Sequence, residues 1–147
     1  MRAECKERIL IMDKVFICSP YRGDDVESNI KGARFAASLV IHRGDIPIVP
    51  HLYFPQFLKE DSQYERIQGI KMGVQLMKDC DEMWIVGTNI TAGMEYEIEE
   101  AKKIGIPVKL YDENLSRIDT DTLILDDRLD DRYRTVIKGL RFFRSRW

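Results

Sequence analysis

The sequence predicts an α/β three-layer sandwich: a mostly parallel sheet of four to five strands with helices on both faces. Three observations lead there. Short apolar runs recur at Val15-Phe16-Ile17-Cys18, Ile46-Pro47-Ile48-Val49, Met83-Trp84-Ile85-Val86 and Val108-Lys109-Leu110-Tyr111, with the length and composition of strands covered on both faces. Stretches of helical period separate them, and this alternation implies parallel strands joined by right-handed crossovers. The 147 residues, 44% apolar and 33% charged, suit one domain large enough to bury a core.

The chain divides into an N-terminal arm over 1–13, a central domain over 14–112 and a C-terminal extension over 113–147. A net charge of −2 gives no reason to expect nucleic acid or a membrane as partner. The cysteines Cys5, Cys18 and Cys80 are odd in number and lack framework spacing, so Cys18 and Cys80 read as small core residues in a reducing compartment. No apolar run approaches membrane-spanning length and the N-terminus lacks a signal peptide's apolar core. A cytoplasmic, soluble protein is the expectation.

In chain order, the first strand breaks into Ser19-Pro20-Tyr21-Arg22-Gly23-Asp24, a polar loop with a glycine for tight geometry. Asp24 with Glu27 forms a capping box for the next helix, whose face is Val26, Ile30, Ala33, Ala37, Val40 and Ile41, closed by Gly44. The helix start and Arg22 make an anion site, against the plainer reading of a strand-to-helix turn with a solvated arginine. A phosphate loop would need more glycines. The second strand ends in Pro50-His51-Leu52-Tyr53-Phe54-Pro55, which puts His51 at another carboxyl end, either as a site residue or as a hydrogen-bonded loop histidine. No His, Cys or carboxylate spacing suits a metal, and no cofactor is expected. Residues 62–79 form a helix with Ile67, Ile70, Val74, Leu76 and Met77 as apolar surface.

The third strand closes with Gly87-Thr88-Asn89. Thr91 can cap the following helix, Gly105 can end it, and Pro107 prevents its continuation. Met94, Ile98, Ala101 and Ile104 fall on one stripe, and Glu97 lies inside it. A carboxylate facing a sheet is costly unless paired, hydrogen-bonded or protonated. Glu97 therefore either flanks the core with its head reaching water or an arginine, or acts at the mouth of the sheet, where α/β proteins bind ligands. The convergence of Ser19 to Asp24, His51, Gly87 to Gly93 and Glu97 on one rim favours the second. Beyond Asp112, Leu123-Ile124-Leu125 is an added edge strand or docking segment. Arg128 to Trp147, basic and aromatic, forms a C-terminal helix that packs on the domain or on a second subunit, or contacts nucleic acid.

Taken together, SPYRG after strand one, PH after strand two, CDEMWIVG as strand three, and GM followed by EIEEA resemble the nucleoside 2-deoxyribosyltransferase-like superfamily, closest to its small phage and bacterial domains. The resemblance covers Val15 to Tyr111. It implies a flavodoxin-like fold and cleavage or exchange of the N-glycosidic bond of deoxynucleosides or their monophosphates. It also implies a glutamate nucleophile at the position of Glu97 in Glu97-Ile98-Glu99-Glu100-Ala101, and assembly as a homo-oligomer. The chain departs from the family where an aspartate precedes the position matching Asp81 by about eight residues: Gly73 stands there. Phe16 replaces a first-strand tyrosine, and Thr91 or Asn89 replaces an acidic residue.

The expectations are these. Glu97 is the nucleophile of a nucleoside or nucleotide N-glycosidic-bond enzyme, with Tyr21 and Asp24, or His51, handling protons. Ser19, Pro20, Arg22 and Gly23, with His51, Gly87, Asn89, Thr91, Gly93 and Met94, bind the substrate. The rival reading is a nucleotide-binding module without turnover. A third places function in the tail, whose removal from Arg128 onward would then leave small-molecule binding intact.

Overall fold

The computed structural model describes residues 11–21 and 25–143. Along the chain run β1 (Lys14–Cys18), α1 (Val26–His42), β2 (Ile46–Ile48), the one-turn α2 (Pro50–Tyr53), α3 (Gln63–Lys78), β3 (Glu82–Val86), β4 (Asn89–Ile90), α4 (Glu95–Ile104), β5 (Pro107–Tyr111), β6 (Ile124–Leu125), α5 (Tyr133–Lys138) and β7 (Arg141–Phe142). Five strands form one sheet in the order β2-β1-β3-β5-β7, every pairing parallel. This is a flavodoxin-like arrangement. Pro47, which lacks an N–H for the ladder, is tolerated because β2 is an edge strand. The order reverses between β1 and β3, and a crevice opens beyond the carboxyl ends of strands at such a point.

Strand alternation assigns each side chain to a face. Val15, Ile17, Trp84 and Val86 pack with Ala36 and Val40 of α1. Phe16, Cys18, Met83, Ile85, Val108 and Leu110 pack on the opposite face with Met77 of α3 and Ile98 and Ala101 of α4. All five residues of β3 are buried, Met83 to Val86 as their continuous apolar run predicts. Cys18 therefore points toward α4, which bears on the site below.

At the amino ends of the strands, Glu82 is 5% exposed and is held by Arg43 and by Lys109 at 3.3 Å. Arg43 also pairs with Asp45 at 2.6 Å and lies 5.4 Å from the Trp84 ring centroid. This buried charge cluster is at the end of the sheet opposite the crevice. It fastens α1, β2, β3 and β5 together.

Several local expectations are corrected. Asp25, not Asp24, caps α1 by accepting the Ser28 N–H at 2.9 Å. Asp24 itself lies outside the described residues. The buried stripe of α1 is Ala33, Ala36 and Val40, whereas Val26 and Ile41 are exposed. On α3 the inward residues are Gly73, Val74 and Met77, and Ile67, Ile70 and Leu76 face outward. Thr91 starts a 3-10 turn (Ala92–Met94) ahead of α4 rather than capping α4 itself. Gly105 ends α4 with φ +77°, the left-handed conformation glycine adopts without cost, and Ile104 is half-exposed.

The C-terminal segment differs most. Among the described residues its α-helix covers Tyr133–Lys138, and β7 then extends the main sheet beside β5. β6 pairs with β4 in a separate two-stranded sheet. Leu123, Leu129, Tyr133, Ile137 and Leu140 are buried in the same core as Phe16 and Ile98, and the Tyr133 hydroxyl donates to the Glu95 carbonyl at 2.9 Å. The segment is thus built into the central fold. The 1–10 part of the arm, Cys5 and Trp147 lie outside the described residues.

Candidate active site

The crevice at the β1/β3 reversal opens into a cavity of about 440 Å³, within the range of small-molecule sites. Glu97 reaches it from the first turn of α4. The residue is half-buried, but its carboxyl is withdrawn from water. Burial raises its pKa from 4.5 to about 7, and a hydrogen bond from Cys18 opposes that rise. The Cys18 thiol is itself raised well above its usual range, first by burial and then by the adjacent Glu97. Cys18 thus stays a thiol and can donate. Among the described residues no ion pair reaches Glu97.

The opposite wall of Glu97 is Gly73. A Cβ built there would lie 3.9 Å from Glu97 Oε2 and 3.6 Å from Pro50. The position where the family resemblance implies an aspartate therefore does face Glu97, and glycine leaves it open. Phe16, at the position of the family tyrosine, is fully buried in the core. The strand residue that meets Glu97 is Cys18, two positions on.

Ser19 follows β1 and is 8% exposed. Its hydroxyl is 3.0 Å from His51 Nε2. The Tyr21 ring sits over the same histidine at 5.9 Å between centroids, and the Asn29 side-chain amide fixes the loop by donating to the Tyr21 carbonyl at 3.0 Å. Burial lowers His51 to about 4. The imidazole is accordingly neutral at pH 7, a hydrogen-bond partner for Ser19 rather than a store of protons. It lies in α2, begun by Pro50 at a position where a missing N–H costs nothing, not in an open loop.

Of the residues expected from sequence, Ser19, Tyr21, His51, Thr91, Gly93, Met94 and Glu97 line the cavity together. Pro20, Gly87 and Asn89 do not. Gly87, with φ +111°, turns the chain out of β3 and packs on Pro20, and Asn89 is exposed in β4. Arg22, Gly23 and Asp24 lie outside the described residues. Sequence reasoning missed Lys59, Arg66, Gly69, Tyr96 and Arg128, which also line the cavity. A signal existed for α3: Arg66, Gly69, Ile70 and Gly73 share one helical stripe, and two glycines on it mark a surface kept clear. None existed for Arg128.

Residues 13–111 match the model of the domain of unknown function family (DUF7768), and the chain belongs to that family. Among solved structures it is similar to a 2-deoxyribosyltransferase from the psychrotolerant bacterium Bacillus psychrosaccharolyticus. That likeness has TM-score 0.56 and 18% identity, and covers 82% of this chain and 95% of the other. It is also similar to a conserved protein from Enterococcus faecalis V583, with TM-score 0.52, 18% identity and 92% of each chain covered. At such identity the likeness is one of fold. No curated protein matches the chain.

Proposed function

We propose that this protein breaks the N-glycosidic bond of a nucleoside or nucleotide, as a deoxyribosyltransferase or N-glycosidase, with Glu97 as nucleophile. One observation carries the reading: a desolvated carboxyl with no ion-pair partner among the described residues lines a ligand-sized cavity at the sheet's reversal point. Such an arrangement costs stability and is kept where a carboxylate must react. In the reaction, a Glu97 oxygen attacks C1′ as the C1′–N bond breaks. The bonding pair leaves with the base, which takes a proton from water or from the Tyr21 hydroxyl. Water or an acceptor base then attacks C1′ and releases the carboxylate. Ser19, oriented by His51, holds the sugar hydroxyls, and Gly93 and Met94 form the facing wall.

Gly73 supports a second reading. Without a carboxylate at this position beside Glu97, the site can bind a nucleotide and leave it intact. The test is chromatographic: wild type and Glu97→Ala are incubated with deoxynucleosides and their 5′-monophosphates, with and without a free acceptor base. Base released or exchanged by wild type alone supports the enzyme. Binding seen by thermal shift with no product supports the binding module, and an undiminished rate in Glu97→Ala removes Glu97 from the chemistry.

A further inference from the structure

We propose that the ligand of this cavity carries a phosphate, bound by Arg66, Lys59 and Arg128. The inference rests on the glycosidic reading for the nucleoside part of the ligand and goes beyond it in assigning the anionic end. All three cations line the cavity that Glu97 lines, with Glu60 as the other carboxylate of the wall. Among the described residues, Arg66 and Lys59 have no ion-pair partner. A neutral nucleoside has no use for them.

Arg128 is pre-positioned. Its Nε and Nη2 donate to the two oxygens of Asp126 at 3.2 and 2.6 Å, and its backbone N–H donates to the same carboxylate at 3.0 Å. Asp126 also accepts the Ala92 N–H at 3.4 Å, which ties this loop to the turn that forms the cavity wall. A guanidinium has five N–H donors, so the Asp126 fork leaves the Nη1 pair free for a second planar or tetrahedral anion. The segment beyond the matched family residues thus completes the site.

None of the three cations forms an ion pair with Glu97. Among the described residues, burial and the Cys18 hydrogen bond govern the Glu97 carboxyl, with no pull from Arg66, Lys59 or Arg128. A ligand that meets both must carry its charge away from the reacting carbon, as a nucleoside 5′-monophosphate does, with the sugar ring between C1′ and the phosphate.

Calorimetric titration tests this with three kinds of probe: the four deoxynucleosides, their 5′-monophosphates, and 2-deoxyribose 5-phosphate. The best monophosphate should bind at least about tenfold tighter than its nucleoside, with an advantage that shrinks as salt rises. That ratio should fall toward one in Arg66→Ala and Arg128→Ala and be partly kept in Arg66→Lys, with melting temperatures confirming that the variants fold. Equal affinity for nucleoside and monophosphate, an advantage that survives both alanine substitutions, or no phosphate binding at all overturns the inference. If 2-deoxyribose 5-phosphate binds in an arginine-dependent way and no base-bearing ligand does, the phosphate site stands and the glycosidic reading falls. If nucleosides are cleaved with no phosphate advantage, the reverse holds.

Discussion

Glu97→Gln should make the protein more stable as pH rises relative to wild type. The fold raises the Glu97 pKa from 4.5 to about 7, chiefly by burial. Between those values the folded chain keeps a proton that the unfolded chain has released, so wild-type stability is full below about 4.5 and is lost as pH climbs to about 7. At about 1.4 kcal/mol per pH unit, the loss attributable to this carboxyl is about 3 kcal/mol. Glutamine keeps the shape and does not titrate. Urea unfolding of both proteins at several pH values between 4 and 8 isolates the effect, because all other titrating groups cancel in the difference. The glutamine variant should gain about 3 kcal/mol on wild type across that range, levelling off above pH 7. A difference that stays constant with pH, or one that favours wild type at pH 8, would show that the carboxyl is solvated or paired and would refute the reasoning.

Gly73→Ala should be accommodated, since its Cβ meets Pro50 and Glu97 at ordinary contact distance, and should stabilise α3 by up to about 1 kcal/mol in urea unfolding. Gly73→Asp brings a like charge to Glu97 and should move the midpoint of any pH–rate profile upward. Arg43→Ala removes the ion pairs that Arg43 makes with the buried Glu82 and Asp45, keeping Lys109 on Glu82, and should cost about 3–5 kcal/mol by denaturant titration. Deleting 128–147 removes Leu129, Tyr133, Ile137 and Leu140 from the core. It should abolish cooperative thermal unfolding, whereas a tail that worked separately would leave it unchanged.

The centre of the sheet was legible in the sequence because β1 and β3 are buried on both faces and write themselves as continuous apolar runs. Glu97 was legible for the opposite reason, as a carboxylate that breaks an apolar stripe. Its neighbours were harder. Cys18 reads as a core residue and is one, and only the alternation of β1 turns it toward α4. The amphipathic reading of α3 held at Val74 and Met77 and failed at Ile67, Ile70 and Leu76, which are exposed, Ile70 as part of the cavity wall, while Gly73 takes an inward place. The C-terminal segment resisted most: its aspartates and arginines conceal the spaced Leu129, Tyr133, Ile137 and Leu140 that bury it, and a two-residue β7 has no period to detect. Arg128 reaches the cavity only through a loop held by Asp126, which is tertiary information.

The central claim is that Glu97 reacts as a carboxylate from a site that resists its ionisation. The direct measurement is the rate of base release across pH 5–9 by wild type and Glu97→Gln, on whichever deoxynucleoside or monophosphate the panel identifies. The account requires a wild-type kcat/KM that rises with pH through a midpoint near 7, where the free carboxyl ionises, and a glutamine variant slower by about a thousandfold or more. A glutamine variant that matches wild type, or a wild-type profile flat from pH 6 to 8, would contradict it.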